Sequence, residues 1–239
     1  MAVLRPFVLA CGPVLDSLRD ADPFGLPDLA GADSGLKAKL VNGVTSVKVP
    51  GTDAWTRMTG YDRSSWWMNR VGRFTALLTA LPGLGGALAG RVPVQDTVGA
   101  ASQGLLLCAI AGEYGVTDVG TRVRLIASVL FGREIPPALA AGQAEGEAAA
   151  TARLTEDLTA SARKNGKATV NAAAGTVWRL GRSLRELTEE LEKRPRGRLL
   201  QRAVGKVPVV GVAGNYLSER SGLREVWQRA HGWLTGHAG

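Results

Sequence analysis

The chain has 239 residues, 45% of them apolar and 21% charged, with a formal net charge of +8. This balance excludes an intrinsically disordered chain, and the length suits one sizeable core or two small ones. The only two cysteines, Cys11 and Cys108, form no CxxC pair, which argues against a disulfide framework and for a reducing compartment.

Aromatics make up only 5% of the residues, and there are 31 glycines. Small residues let helices approach closely but bury little area each, so a thin, extended core is expected. The charge is uneven. Residues 171–239 hold twelve basic against six acidic groups. A positive field there favours anionic partners such as phospholipid headgroups, nucleic acid or acidic protein.

In chain order, Val8-Leu9-Ala10-Cys11 is similar to a lipoprotein cleavage box. The apolar run between Arg5 and Cys11 is only five residues and contains Pro6. A signal peptide needs roughly 7–15, so the run reads as a short apolar strip packed on the domain. Residues 20–36 mix four aspartates with Pro23, Pro27 and glycines, and read as loop. Leu36–Val49 reads as a short helix; Val44–Val49 is the best strand candidate, and no strand is convincing. Thr52 is a candidate cap for a brief helix through Trp55 and Met58, broken at Gly60.

Ser64 or Ser65 is the expected N-cap of a helix through Trp66, Trp67, Val71 and Phe74, stopped by Pro82-Gly83. Asp96 is expected to cap a second apolar helix from Thr97 to Tyr114, closed by Gly115. Asp118 or Thr121 starts the next, which ends at Gly132 and Pro136-Pro137. Residues 138–175 are alanine-rich with a weak apolar face. Val177, Leu180, Leu184, Leu187 and Leu191 then recur at spacings of 3, 4, 3 and 4, a helical stripe ended at Arg194-Pro195. Ser221 is the expected cap of a last helix with Leu223, Val226, Trp227, Ala230 and Leu234 on one face.

Phe74–Gly90 runs 17 residues without a charge and Val98–Gly112 runs 15. Both fall short of the about 20 that span a bilayer. A buried helical hairpin is the favoured reading; a hairpin that inserts on demand is the alternative.

Two blocks carry a family resemblance. Thr79-Ala-Leu-Pro82-Gly83-Leu-Gly-Gly-Ala-Leu-Ala-Gly-Arg-Val-Pro-Val-Gln-Asp96 leads to Ile110-Ala-Gly-Glu-Tyr114-Gly115. Lys206-Val-Pro208-Val-Val-Gly211-Val-Ala-Gly-Asn215 follows near the C-terminus. In order and separation these resemble EcsC-family proteins over roughly residues 65–235. The resemblance implies a helical protein, linked by the family name to an ABC-transporter gene cluster, with no settled activity. One departure is that Thr97-Val98 follows Asp96 where the family often has Leu-Pro.

Active-site chemistry is not evident. Gly166-Lys167 and Gly205-Lys206 lack the spacing and hydroxyl of a phosphate loop. His231 and His237 are six apart and read as exposed tail residues rather than metal ligands. Cys108 reads as buried filler. Glu113 sits unfavourably at a helix end, where an arginine distant in sequence is its expected partner. An Asp96–Glu113 acid–base pair is a minor alternative. The strongest signal is the basic run Lys193, Arg194, Arg196, Arg198, Arg202 and Lys206, interleaved with Leu199, Leu200, Ala203 and Val204 and followed by Trp227 and Trp233. Basic residues beside an apolar stripe, with tryptophan at an edge, suit an anionic bilayer surface. Trp66-Trp67 beside Arg63, Arg70 and Arg73 is a second candidate anchor, with one indole expected in the core.

The sequence is thus read as an all-α protein of seven to nine helices with a central Gly-rich apolar hairpin. Residues 1–50 form an N-terminal arm, partly loop, and 51–239 the EcsC-like domain. It is placed in the cytoplasm, at the inner face of a membrane, with no cofactor implied. The rivals are a protein-interaction module without lipid affinity, a nucleic-acid binder, which the short basic run and missing helix-turn-helix disfavour, and an enzyme of unknown chemistry.

Overall fold

The computed structural model describes residues 3–19, 50, 53–80, 94–166, 168–193 and 216–236. Among them the fold is all-α, with no strand. The helices are α1 Leu4–Arg19, α2 Asp53–Thr56, α3 Gly60–Ala80, α4 Val94–Glu113, α5 Val119–Phe131, α6 Pro137–Ala141, α7 Glu147–Asn165, α8 Val170–Lys193 and α9 Tyr216–Gly236. None of them is long and apolar enough to cross a membrane. The segment 20–49 and the Gly-rich segment 81–93, with the helix, strand and turn expected there, lie outside the described residues, as do Thr52 and the basic run 194–206.

Helix α4 is the hub. It packs against α1, α3, α5, α8 and α9, and Leu105 through Ala111 are all buried. A helix enclosed on every side has no polar face to display, which is why its sequence reads as a charge-free run rather than a stripe. Side-chain contacts fix the directions of its neighbours. Trp67 meets Glu113 and Thr75 meets Ser102 at 2.5 Å, so α3 runs antiparallel to α4. Gly222 lies against Gln103 and His231 against Tyr114, so α9 runs parallel to α4. Phe7 covers Gly104 and Cys11 meets Cys108, so α1 is also parallel.

Several helix starts differ from the sequence reading. Gly60 does not break a helix; it opens α3. The cap is Thr59, whose Oγ1 accepts the Asp62 N–H at 3.1 Å and donates to Asp62 Oδ2 at 2.8 Å, an N-cap placed earlier than Ser64. Helix α4 begins at Val94, so Asp96 lies inside its first turn and is not its cap. Ser221 lies within α9, which begins at Tyr216. The alanine-rich stretch forms α6 and α7, where alanine's helix propensity outweighs its weak apolar face. The N-terminal strip is a full helix, α1, with its apolar residues in the core.

Other ends match the reading. Asp118 caps α5 by accepting the Thr121 N–H at 2.7 Å, and Gly132 closes it in the left-handed region. At the end of α4, Gly115 has φ +75°; Val116 N–H reaches Ala111 O at 2.9 Å and Gly115 N–H reaches Gly112 O at 3.1 Å. That is a Schellman cap, and it needs a residue without Cβ at Gly115. The α8 stripe is buried at Val177, Leu180, Leu184 and Leu187, with Leu191 packed at its edge.

Candidate functional site

The two ends of α4 are built differently. At its C-terminal end, Glu113 is held between two residues of α3. It accepts the Trp67 Nε1–H at 2.8 Å and pairs with Arg63 at 3.0 Å. Arg63 also donates to the Glu113 carbonyl at 3.4 Å. A cation at a helix C-terminus offsets both the carboxylate and the negative end of the helix dipole. The arginine distant in sequence is therefore Arg63.

One residue on, Tyr114 Oη lies 2.5 Å from His231 Nδ1 on α9. The imidazole is enclosed by rings. Tyr61 lies 5.7 Å away edge-on, Tyr114 5.6 Å, and Trp227 6.1 Å in a near-parallel stack. Trp227 is buried and donates Nε1–H to Ser64 Oγ at 2.9 Å. Tyr61 covers Trp227 and remains 51% exposed. Burial, and then the nearby Tyr61, push the Tyr114 hydroxyl above its ordinary pKa of 10.0. His231 is thus a half-buried helix residue with a partner, not an exposed tail histidine; His237 lies outside the described residues.

The tryptophans mostly face inward. Trp67 is fully buried, and Trp66 packs edge-on against Trp55 and Trp67 with the Arg70 guanidinium 5.2 Å over its ring. Trp233 is partly buried beneath Arg124 at 5.8 Å. Trp227, expected at an edge, is a core residue because its polar atom finds an internal acceptor in Ser64.

The N-terminal end of α4 gathers chain connections. Continuing the antiparallel register from Thr75 and Ser102 sets the α3 terminus at Ala80 level with Thr97. Continuing the parallel register from Gly222 and Gln103 sets the α9 start at Tyr216 on the same level. Gly181 of α8 packs on the Thr97 carbonyl, and Arg185 reaches Thr97 Oγ1 at 3.4 Å. Three residues on, Leu184 lies against Gly104, further along α4, so from Gly181 to Lys193 α8 heads toward the other end of α4. The segment 81–93 and the C-terminal end of the segment 194–215 therefore join the helical body around one end. The segment 20–49 leaves from the other, where Arg19 stacks 5.8 Å over Trp67.

Of the residues singled out from sequence, Asp96, Tyr114 and Gly115 are described. Pro82, Gly83, Arg194, Arg196, Arg198, Arg202, Lys206, Pro208, Gly211 and Asn215 lie outside the described residues. Asp96 and Glu113 occupy opposite ends of α4, separated by roughly 25 Å of helix. They form no acid–base pair. Among the described residues no cluster of three or more His, Cys, Asp or Glu side chains is positioned to hold a metal. Arg63, Ser64, Tyr61 and His231 escaped the sequence reading as site residues, since their partners are distant in sequence: 50 residues for Arg63, 117 for His231 and 163 for Ser64. No family model, no curated protein and no solved structure matches the chain.

Proposed function

We propose that this is an EcsC-like helical protein that acts at the cytoplasmic face of a membrane by holding anionic lipid headgroups. The observation that carries the reading is the composition of 81–93 and 194–215, the first leaving Ala80 and the second reaching Tyr216 at the same end of α4. The first is uncharged and apolar from Leu81 to Gly90; the second holds Arg194, Arg196, Arg198, Arg202 and Lys206 among leucines and valines. Between them they supply the apolar and the cationic side chains that an anionic bilayer surface takes. Each Lys or Arg near such a surface contributes about 1 kcal/mol. Several of them hold the protein there reversibly, without a spanning helix.

The test is co-sedimentation of the protein with neutral and with phosphatidylserine-containing vesicles at low and moderate salt. Binding to anionic vesicles alone, lost on changing Arg194, Arg196, Arg198 and Arg202 to glutamine, is the expected result. Failure to bind either kind removes the proposal.

A second reading, a protein-interaction module without lipid affinity, is favoured by the burial of Trp67 and Trp227. Both are spent on the core and unavailable as interfacial anchors. It predicts that vesicle binding is absent.

A further inference from the structure

Cys11 and Cys108 are 97 residues apart and share no motif, yet the fold brings their thiols together. The cause is Gly104. An added Cβ there would collide with the Phe7 ring, so α1 sits closer to α4 than a side chain allows. One turn further along both parallel helices, Cys11 and Cys108 take corresponding places, and the Cys108 thiol is near enough to act on that of Cys11. They are 0% and 2% exposed. A single buried cysteine is ordinary filler. Two at corresponding places on a close helix pair are placed for a bridge, which needs Cα atoms within about 7 Å.

We propose that Cys11 and Cys108 form a reversible disulfide that fastens α1 to the central helix. The oxidant is a small disulfide of the glutathione class. One cysteine gives its proton to solvent and attacks a sulfur of the oxidant, expelling one small thiol. The second cysteine, also deprotonated, attacks the protein sulfur of that mixed disulfide and expels the other. Two protein thiols lose two electrons, and one small disulfide becomes two thiols. Burial pushes the Cys11 thiol up, with Cys108 adding to this and Arg122 opposing it, so closed protein reacts slowly. Reaction proceeds through opening of α1. Pro13 lies inside that helix without an N–H to donate, so α1 lacks one rung of its ladder.

The experiment equilibrates the full chain with oxidised glutathione, both directly and during refolding from urea. Samples are then acid-quenched, unfolded and tagged with a maleimide for intact mass. The expected product is a monomer 2 Da lighter that takes no tag, melts roughly 5–10 °C higher, and reverts with dithiothreitol. The C11A and C108A variants show no such shift in melting. Two tags per chain even after refolding in the oxidant overturn the proposal. So does a cross-linked monomer that melts lower than the reduced protein, or a cross-link found only between chains.

Discussion

Trp67 of α3 donates its indole N–H to Glu113 at the end of α4, and so ties the first turns of one helix to the last turn of the other. Trp67 is fully buried, so its N–H has no water to turn to if the carboxylate goes. Arg63 loses its carboxylate partner at the same time and keeps only the Glu113 carbonyl. Glu113→Ala is expected to cost about 2–3 kcal/mol, and Glu113→Gln, which keeps an acceptor for Trp67, about 1 kcal/mol. Urea denaturation of both variants checks the order. Equal losses would mean that the indole contact contributes nothing.

Tyr114→Phe removes the hydroxyl that meets His231 and leaves the ring in place. A loss of about 1 kcal/mol is expected. The variant also reports on alkaline stability. The Tyr114 hydroxyl is held above its ordinary value of 10.0 by burial and by Tyr61, so the folded state retains a proton that the unfolded state releases. The contribution is present below pH 10 and is lost as pH rises through the folded value. The wild type is therefore expected to lose stability more steeply than Y114F above pH 10, and the two curves converge there. Denaturation midpoints across pH 8 to about 11 measure this.

The extent to which this fold is legible in its sequence depends on how each helix is buried. Helices α8 and α9 face the core on one side, so their apolar residues recur at 3 and 4 and their faces are readable. Helix α4 is enclosed and betrays itself only as a run without charge. Helix α1 is masked by Pro6, Gly12 and Pro13, which read as breakers. Pro6 falls in the first turn, where no N–H is required, and Pro13 is tolerated because its side is exposed. At the site, Tyr114 is visible as a motif residue but His231 is not. A helical spacing gives the face of Trp227, not its depth. Its acceptor Ser64 lies 163 residues away.

Glu147 forms the ion pair that holds α7 to α1, with Arg5 Nε at 2.7 Å, while Arg5 also donates to the Ala140 carbonyl at 2.9 Å. The Arg5 hydrogen bond lowers the Glu147 carboxyl below its ordinary 4.5, against a smaller opposing effect of burial. A depressed carboxylate contributes stability above its unfolded value, and that contribution is lost as pH falls through the folded value. Glu147→Gln is expected to be less stable than wild type at pH 7, with the gap closing below pH 4.5. Thermal melts at pH 7 and at about pH 3 separate this from a simple packing defect, which would keep the gap constant.

Glycines on α4 and α8 give the sharpest contrast between propensity and packing. Glycine inside a helix costs about 0.5–1 kcal/mol relative to alanine. At Gly99 a new Cβ meets nothing within 4 Å, so Gly99→Ala is expected to stabilise by about that amount. At Gly181 the same Cβ would fall on the Thr97 carbonyl and carbon, which are backbone and cannot rotate away. Gly181→Ala must push α8 off α4 and is expected to destabilise by about 2–3 kcal/mol despite its better propensity. Gly104→Ala should be intermediate, because the obstructing atoms belong to the Phe7 ring, which can shift only at the expense of the α1 core. Chemical denaturation of the three variants ranks them. If Gly181→Ala matched Gly99→Ala, the close passage of α8 over the first turn of α4 would be wrong.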